Sequence, residues 1–114
     1  EPGTMIQAGQ EVVIDRFHPE DAEGIVRLFK AVYGETYAIP DYTDPDLLRE
    51  KNRTQDVVSV VGRTPSGDIV GHTSIYRSAP VKDIYENGAG VVHPLYRGTS
   101  RIMSRMGELI MTVA

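Results

Sequence analysis

The chain has 114 residues and no cysteine, which bounds it to one small domain with a single core and excludes disulfide and thiolate chemistry. Its formal net charge of −4 at pH 7 argues against a general nucleic-acid or membrane-surface binder, since both need a basic face. Three dispersed histidines assemble no zinc-ligand spacing, so no metal is expected, and no apolar run approaches the roughly 20 residues of a membrane helix.

Residues 1–10 carry Pro2, Gly3 and Gly9 with little periodicity and read as a flexible leader or cloning remnant. They lack the basic start and apolar centre of a secretion signal, so the expected location is cytoplasmic. The single domain is expected over 11–114. Glu11 to Phe17 alternates around Val12, Val13, Ile14 and Phe17 and predicts the first strand. His18-Pro19-Glu20-Asp21 opens a helix, with proline tolerated in the first turn and acids complementing the helix dipole. Ala22, Ile25, Leu28, Phe29 and Val32 form its buried stripe, and Gly34 ends it. Glu35 to Thr43 is a loop holding Tyr37 and Tyr42. Asp44-Pro45-Asp46 starts a short second helix through about Asn52, with Asp44 as N-cap. Val57 to Val61 suits a strand buried on both faces. Thr64 to Asp68 is a turn, Gly67 taking positive φ, and Ile69 to Arg77 returns as the partner strand of a hairpin. After a break at Ser78-Ala79-Pro80, Val81 to His93 predicts a further strand, bulged or bent near Gly88 and Gly90.

The stretch Gly88 to Ile102 then reads as a strand, a tight turn and the start of a helix. Gly98, the hydroxyls of Thr99 and Ser100, and the guanidinium groups of Arg97 and Arg101 crowd that start. Unpaired N–H groups and a partial positive charge make it a seat for an anion, phosphate above all. Met103, Met106, Leu109, Ile110 and Val113 predict the face that packs on the sheet, and Arg101 and Arg105, four apart, predict a shared face near the anion end. The run to Ala114 has neither glycine stop nor closing turn and reads as cut within or just after a helix.

The order strand, two helices, three strands, helix, together with Val92-x-Pro94-x-Tyr96-Arg97-Gly98, resembles the GNAT family of acyl-CoA-dependent N-acyltransferases over about residues 11–114. The resemblance implies an α+β fold with a mixed, mostly antiparallel sheet flanked by helices, apparently truncated after the third helix; the family's later strands and fourth helix are missing. It implies acetyl-CoA or another acyl-CoA as co-substrate, with Val92 at the strand end that meets the pantetheine arm. Arg97, Gly98, Thr99, Ser100, Arg101 and Ile102 fall on the family's pyrophosphate-binding pattern. Ser100 and Ile102 depart from it, standing where glycine, and glycine or alanine, are usual. Serine's hydroxyl can itself donate to phosphate, whereas Ile102 is bulky and stiff and can instead turn inward to start the helix's buried stripe.

Amine acylation needs a base for the ammonium proton and donors that polarise the thioester carbonyl. Glu86 lies six residues before Val92, so on a regular strand the two share a face, a parity that a bulge would alter. Some family members use a glutamate here as general base, which makes Glu86 the catalytic candidate; an ordinary solvated strand glutamate is its other reading. Tyr33, Tyr37 and Tyr42 flank the loop that in this family borders the acceptor site. His72 reads as a satisfied core or surface histidine, His93 as pointing away from Val92, and Tyr96 as packed beneath the turn. The implied function is acyl transfer from acyl-CoA to an amine of a small molecule or peptide. The alternatives are a catalytically inactive acyl-CoA-sensing or protein-interaction domain of the same fold, and a PAS-like sensor module. Unpartnered sheet edge and helix face predict a homodimer.

Overall fold

The computed structural model describes residues 9–34, 43–77, 85–87, 90–98 and 101–113. An antiparallel sheet divides the core into two layers. Strand β1 (Val13–Arg16) pairs with β2 (Val57–Arg63), β2 with β3 (Ile69–Arg77), and β3 with both β4 (Tyr85–Asn87) and β5 (Val91–Val92). Helices α1 (Ala22–Tyr33) and α2 (Pro45–Thr54) cover one face, and α3 (Ile102–Val113) covers the other. A PAS-like module is thereby set aside.

Local chemistry sets most boundaries where the sequence places them. A 3-10 turn at Pro19–Asp21 leads into α1, and Gly34 leaves the helix at φ 75°. The Asp44 carboxylate accepts the N–H groups of Asp46 and Leu47 at 3.0 and 3.3 Å, satisfying two first-turn donors of α2. Gly67 takes φ 92° in the β2–β3 hairpin turn. The first strand is shorter than its sequence pattern, because only Val13–Arg16 pairs in register with β2, although the Phe17 N–H still reaches the Ser59 carbonyl at 3.2 Å. In contrast β2 runs two residues longer, to Arg63.

Strand β2 is buried on both faces, as its β-branched run requires. Val60 joins Val12, Val70, Ile75, Val92 and Tyr96 beneath Ile102, Met106 and Ile110 of α3. Val61 joins Ile69 and Val91 beneath Ile25, Leu28 and Phe29 of α1 and Leu48 of α2. Each such side chain contributes about 1.5–3 kcal/mol of burial. Two glycines let the helices sit directly on the strands. A Cβ on Gly24 would lie 2.6 Å from Ile69 Cγ1, and one on Gly71 would lie 2.9 Å from Ile102 Cγ2. Ile102 is 2% exposed, so it does turn inward.

The register on β3 changes by one between its two partners. Ile75 faces Asn87 and Tyr76 faces Glu86, whereas His72 faces Val91 and Gly71 faces Val92. Three steps along β3, from Ile75 to His72, thus span four on the partner, which is the count of a β-bulge. The consequence corrects the regular-strand expectation. In register Glu86 stands opposite Tyr76, of the parity of Ser74 and His72, whereas Val92 stands opposite Gly71, of the parity of Ile75, and joins the core beneath α3. Their register positions differ in parity.

His72 is a satisfied core histidine. It is fully buried, with Nε2 3.0 Å from Ser59 Oγ and its ring edge-on to Phe29 at 5.4 Å between centroids. Two expectations for α3 change. Met103 faces outward, because the helical phase set by buried Ile102, Met106 and Ile110 excludes it. Arg105 donates to the Val12 carbonyl at 3.0 Å and so ties α3 to the approach of β1, while Arg101 precedes the helix. The two arginines therefore serve different places.

Candidate functional site

The site is built from the end of β5. The His93 N–H donates to the Val70 carbonyl at 2.8 Å, fixing the strand end to β3. Pro94 opens a 3-10 turn, Pro94–Tyr96, in which the Tyr96 N–H reaches the His93 carbonyl at 2.8 Å. Tyr96 is 1% exposed and anchors the turn from below, its hydroxyl accepting the Gln10 N–H at 3.3 Å. Arg97 follows in extended backbone, and its Nε donates to the Val92 carbonyl at 3.0 Å. Gly98 is left-handed at φ 79° and Arg101 at φ 51°. A non-glycine residue there is strained by about 1–2 kcal/mol. The Arg101 carbonyl takes the first helical hydrogen bond of α3, from the Arg105 N–H at 2.9 Å.

Between β5, this turn and the first turn of α3 lies a cavity of about 480 Å³, with Tyr33 of α1 on its far wall. That size fits a small-molecule ligand or the arm of a larger one. Arg97 and Arg101 supply its charge, and no acidic residue lines it among the described residues. The Arg101 guanidinium makes no hydrogen bond or ion pair with another described residue. Burial, and then the adjacent Arg97 guanidinium, hold the His93 imidazole below the usual histidine range. Neutral, it accepts the Leu95 N–H at Nδ1, 3.1 Å away.

A second cavity, about 360 Å³, also meets arginines: Arg16, Arg49 and Arg53. There, however, Arg49 is paired with Glu23 and Asp46, and Arg53 with Glu50. The charge of Arg49 and Arg53 is already answered by carboxylates.

The first cavity gathers Val92, Arg97, Gly98, Arg101 and Ile102 of the sequence-derived set. Thr99, Ser100, Tyr37 and Tyr42 lie outside the described residues. The backbone of Glu86 belongs to β4, and its side chain is likewise outside them. Sequence reasoning missed Gly90, Met103 and Ser104 as wall residues. The phase of α3 held the signal for the last two: once Ile102 and Met106 face inward, positions 103 and 104 must face out. Among the described residues no group of histidines and carboxylates is placed to hold a metal, and no helix is long and apolar enough to cross a membrane.

A sheet whose last strand slips register by one residue and then turns into a helix at a basic cavity defines the class: the chain has the GNAT acetyltransferase fold. Solved structures of that fold superpose over nearly the whole chain. An acetyltransferase from Trypanosoma brucei matches with a TM-score of 0.69 and 16% identity, covering 90% of this chain and 74% of its own. A GNAT-family acetyltransferase from Staphylococcus aureus matches at 0.70 and 12%, covering 90% and 64%. A GNAT-family acetyltransferase from Brucella melitensis, solved in complex with acetyl-CoA, matches at 0.66 and 16%, covering 92% and 69%. The chain therefore spans 64 to 74% of the length of these proteins. No protein-family model matches the sequence, and no curated protein matches it closely enough to count.

Proposed function

We propose that this chain carries the acyl-CoA-binding part of an N-acetyltransferase, an enzyme that moves an acetyl or related acyl group from CoA to an amine. The observation that carries the reading is the cavity at the end of β5, where no acid among the described residues answers Arg97 and Arg101. In this reading the pyrophosphate sits at the turn between Arg97 and Ile102, against both guanidinium groups and the hydroxyls of Thr99 and Ser100. The pantetheine arm lies along β5 at Val92, and Ile102 serves as an apolar floor. The acetyl-CoA complex of the Brucella protein supports a ligand of this kind on this fold.

The chemistry is direct attack of the amine nitrogen on the thioester carbonyl. The C–N bond forms, the C–S bond breaks, the ammonium proton passes to a base, and CoA leaves as thiolate to be protonated. Glu86 is the proposed base, acting directly or through a water. Its support is its place on β4, one register slip upstream of the cavity. In the full-length protein, Glu86→Gln should lower turnover most on the acid side of the pH–rate profile; an unaltered profile discards Glu86.

The deciding experiment is a calorimetric titration of acetyl-CoA into the chain, with CoA and ATP as controls. Binding of acetyl-CoA and CoA but not ATP sustains the reading, because only the first two carry pantetheine. Absence of binding in this chain and in a longer protein that contains it overturns the reading. Binding by that longer protein without turnover on any amine would favour the inactive, acyl-CoA-sensing alternative.

A further inference from the structure

We propose that His93 is a positioning residue for the turn at the basic cavity: its Nδ1, by accepting the Leu95 N–H, fixes the turn from which Arg97 is presented. The inference rests on the acyl-CoA reading of that cavity, but its structural half stands without a ligand. Pro94 brings no N–H, so Leu95 and Tyr96 carry the first free donors of the turn. The Tyr96 N–H goes to the His93 carbonyl, and the Leu95 N–H goes to the His93 ring. The Leu95 side chain is 48% exposed and gives the turn little anchorage. Besides the turn's own bonds from the Tyr96 N–H to the His93 carbonyl and from the Arg97 N–H to the Pro94 carbonyl, three bonds hold this segment: His93 N–H to Val70, Leu95 N–H to Nδ1, and Arg97 Nε to the Val92 carbonyl.

Of the three, only the bond to Nδ1 can be switched off by a proton. An imidazole that accepts at Nδ1 carries its proton on Nε2, and a doubly protonated ring has no acceptor left. Arg97 is the charged group that acts on His93 among the described residues, and it opposes that second proton. The two residues thus support each other: His93 holds the turn of Arg97, and Arg97 keeps His93 an acceptor. The arrangement copies an Asx turn, in which Asn or Asp Oδ1 accepts from the N–H two residues on. Nδ1 and Oδ1 stand the same number of bonds from Cα, so asparagine is the conservative replacement and one that no proton can disable.

The test compares wild type with His93→Asn and His93→Ala. Near pH 7.5 acetyl-CoA should bind His93→Asn within about twofold of wild type, and His93→Ala about three- to tenfold more weakly, as for loss of a cap. As pH falls toward about 5.5, the affinity of wild type relative to His93→Asn should fall, because only wild type loses its acceptor. A ratio that rises would make His93 a direct cationic contact to phosphate and overturn the proposal, as would equal binding by the Asn and Ala variants. In the ligand-free protein, the Leu95 amide resonance should follow the His93 ring through its titration, with the neutral ring in the Nε2–H form. A Leu95 amide indifferent to that titration also overturns it. Should acetyl-CoA bind none of these proteins, nor a longer protein that contains the chain, the acyl-CoA reading falls, while the amide titration still decides whether His93 holds the turn.

Discussion

Two arginine clusters in this small domain are built to opposite ends. Around Arg63 the charges close on themselves. Its Nε and Nη2 grip both oxygens of Asp21 at 3.1 and 2.7 Å, and its Nη1 reaches Asp15 at 3.0 Å. Asp21, 5% exposed, also accepts the His18 N–H at 2.9 Å. This cluster ties the start of α1 to the end of β2 and to β1. Around Arg97 and Arg101 the charges stay open, with a backbone carbonyl as the sole partner of the first and none for the second among the described residues. One of the two left-handed non-glycine residues among those described lies there too, Arg101; the other is Gln55, at the end of α2. The difference separates an arginine used to assemble the fold from one kept for a ligand: it lies in what the guanidinium faces.

Breaking the closed cluster should have the largest effect. Arg63→Leu leaves the Asp21 carboxylate buried without its cation, a loss of about 3–5 kcal/mol in unfolding free energy, measurable by denaturant titration. Acetyl-CoA affinity of the folded fraction should stay within about twofold, since the open cluster is untouched. The reverse experiment removes Arg97 and Arg101 together. Arg97→Ala with Arg101→Ala should change unfolding free energy by less than about 1 kcal/mol, yet weaken acetyl-CoA binding about tenfold or more through lost charge-assisted contacts. Unchanged affinity would remove the site. The smallest effect concerns acid. The hydrogen bond from Arg63 holds the Asp15 carboxyl below its usual range. A depressed folded value contributes stability above the unfolded value of about 3.9 that is lost as pH falls through the folded one. Stability from this pair should hold down to about pH 5 and decline below about 4. The Arg63→Leu variant should lack that part of the decline, as acid titrations of the two proteins would reveal.

How much of this was legible in the sequence follows the range of the forces involved. Asp44, Gly34, Gly67 and the strand Ile69–Arg77 act within a few residues of themselves, and each stands where its local pattern puts it. The gathering of Val92, Arg97, Gly98 and Arg101 was readable for the same reason, being one contiguous turn. The relative register of Glu86 and Val92 was not, because register is a property of two strands and a one-residue slip reverses its parity. Arg105 was expected to share a helical face with Arg101 near the anion end, but φ 51° at Arg101 breaks the helical spacing that the argument assumed. Partnering of Arg105 with Val12, 93 residues away, is a tertiary fact that spacing does not carry. His93 was read by strand alternation, whereas the residue that follows it is a proline and its side chain answers to the turn.

The slip between β4 and β5 makes the chain sensitive to how many residues lie there as well as to which ones. Val91 and Val92 are buried in opposite halves of the core, and a strand presents its side chains alternately. Losing or gaining one residue between Asn87 and Val91 would invert β5, exchange the two valines between layers and roll the start of the arginine turn to the other side of the sheet. Two residues would restore the phase. The feature is therefore tested by changing the length of the segment, by one residue against two, rather than by point substitution.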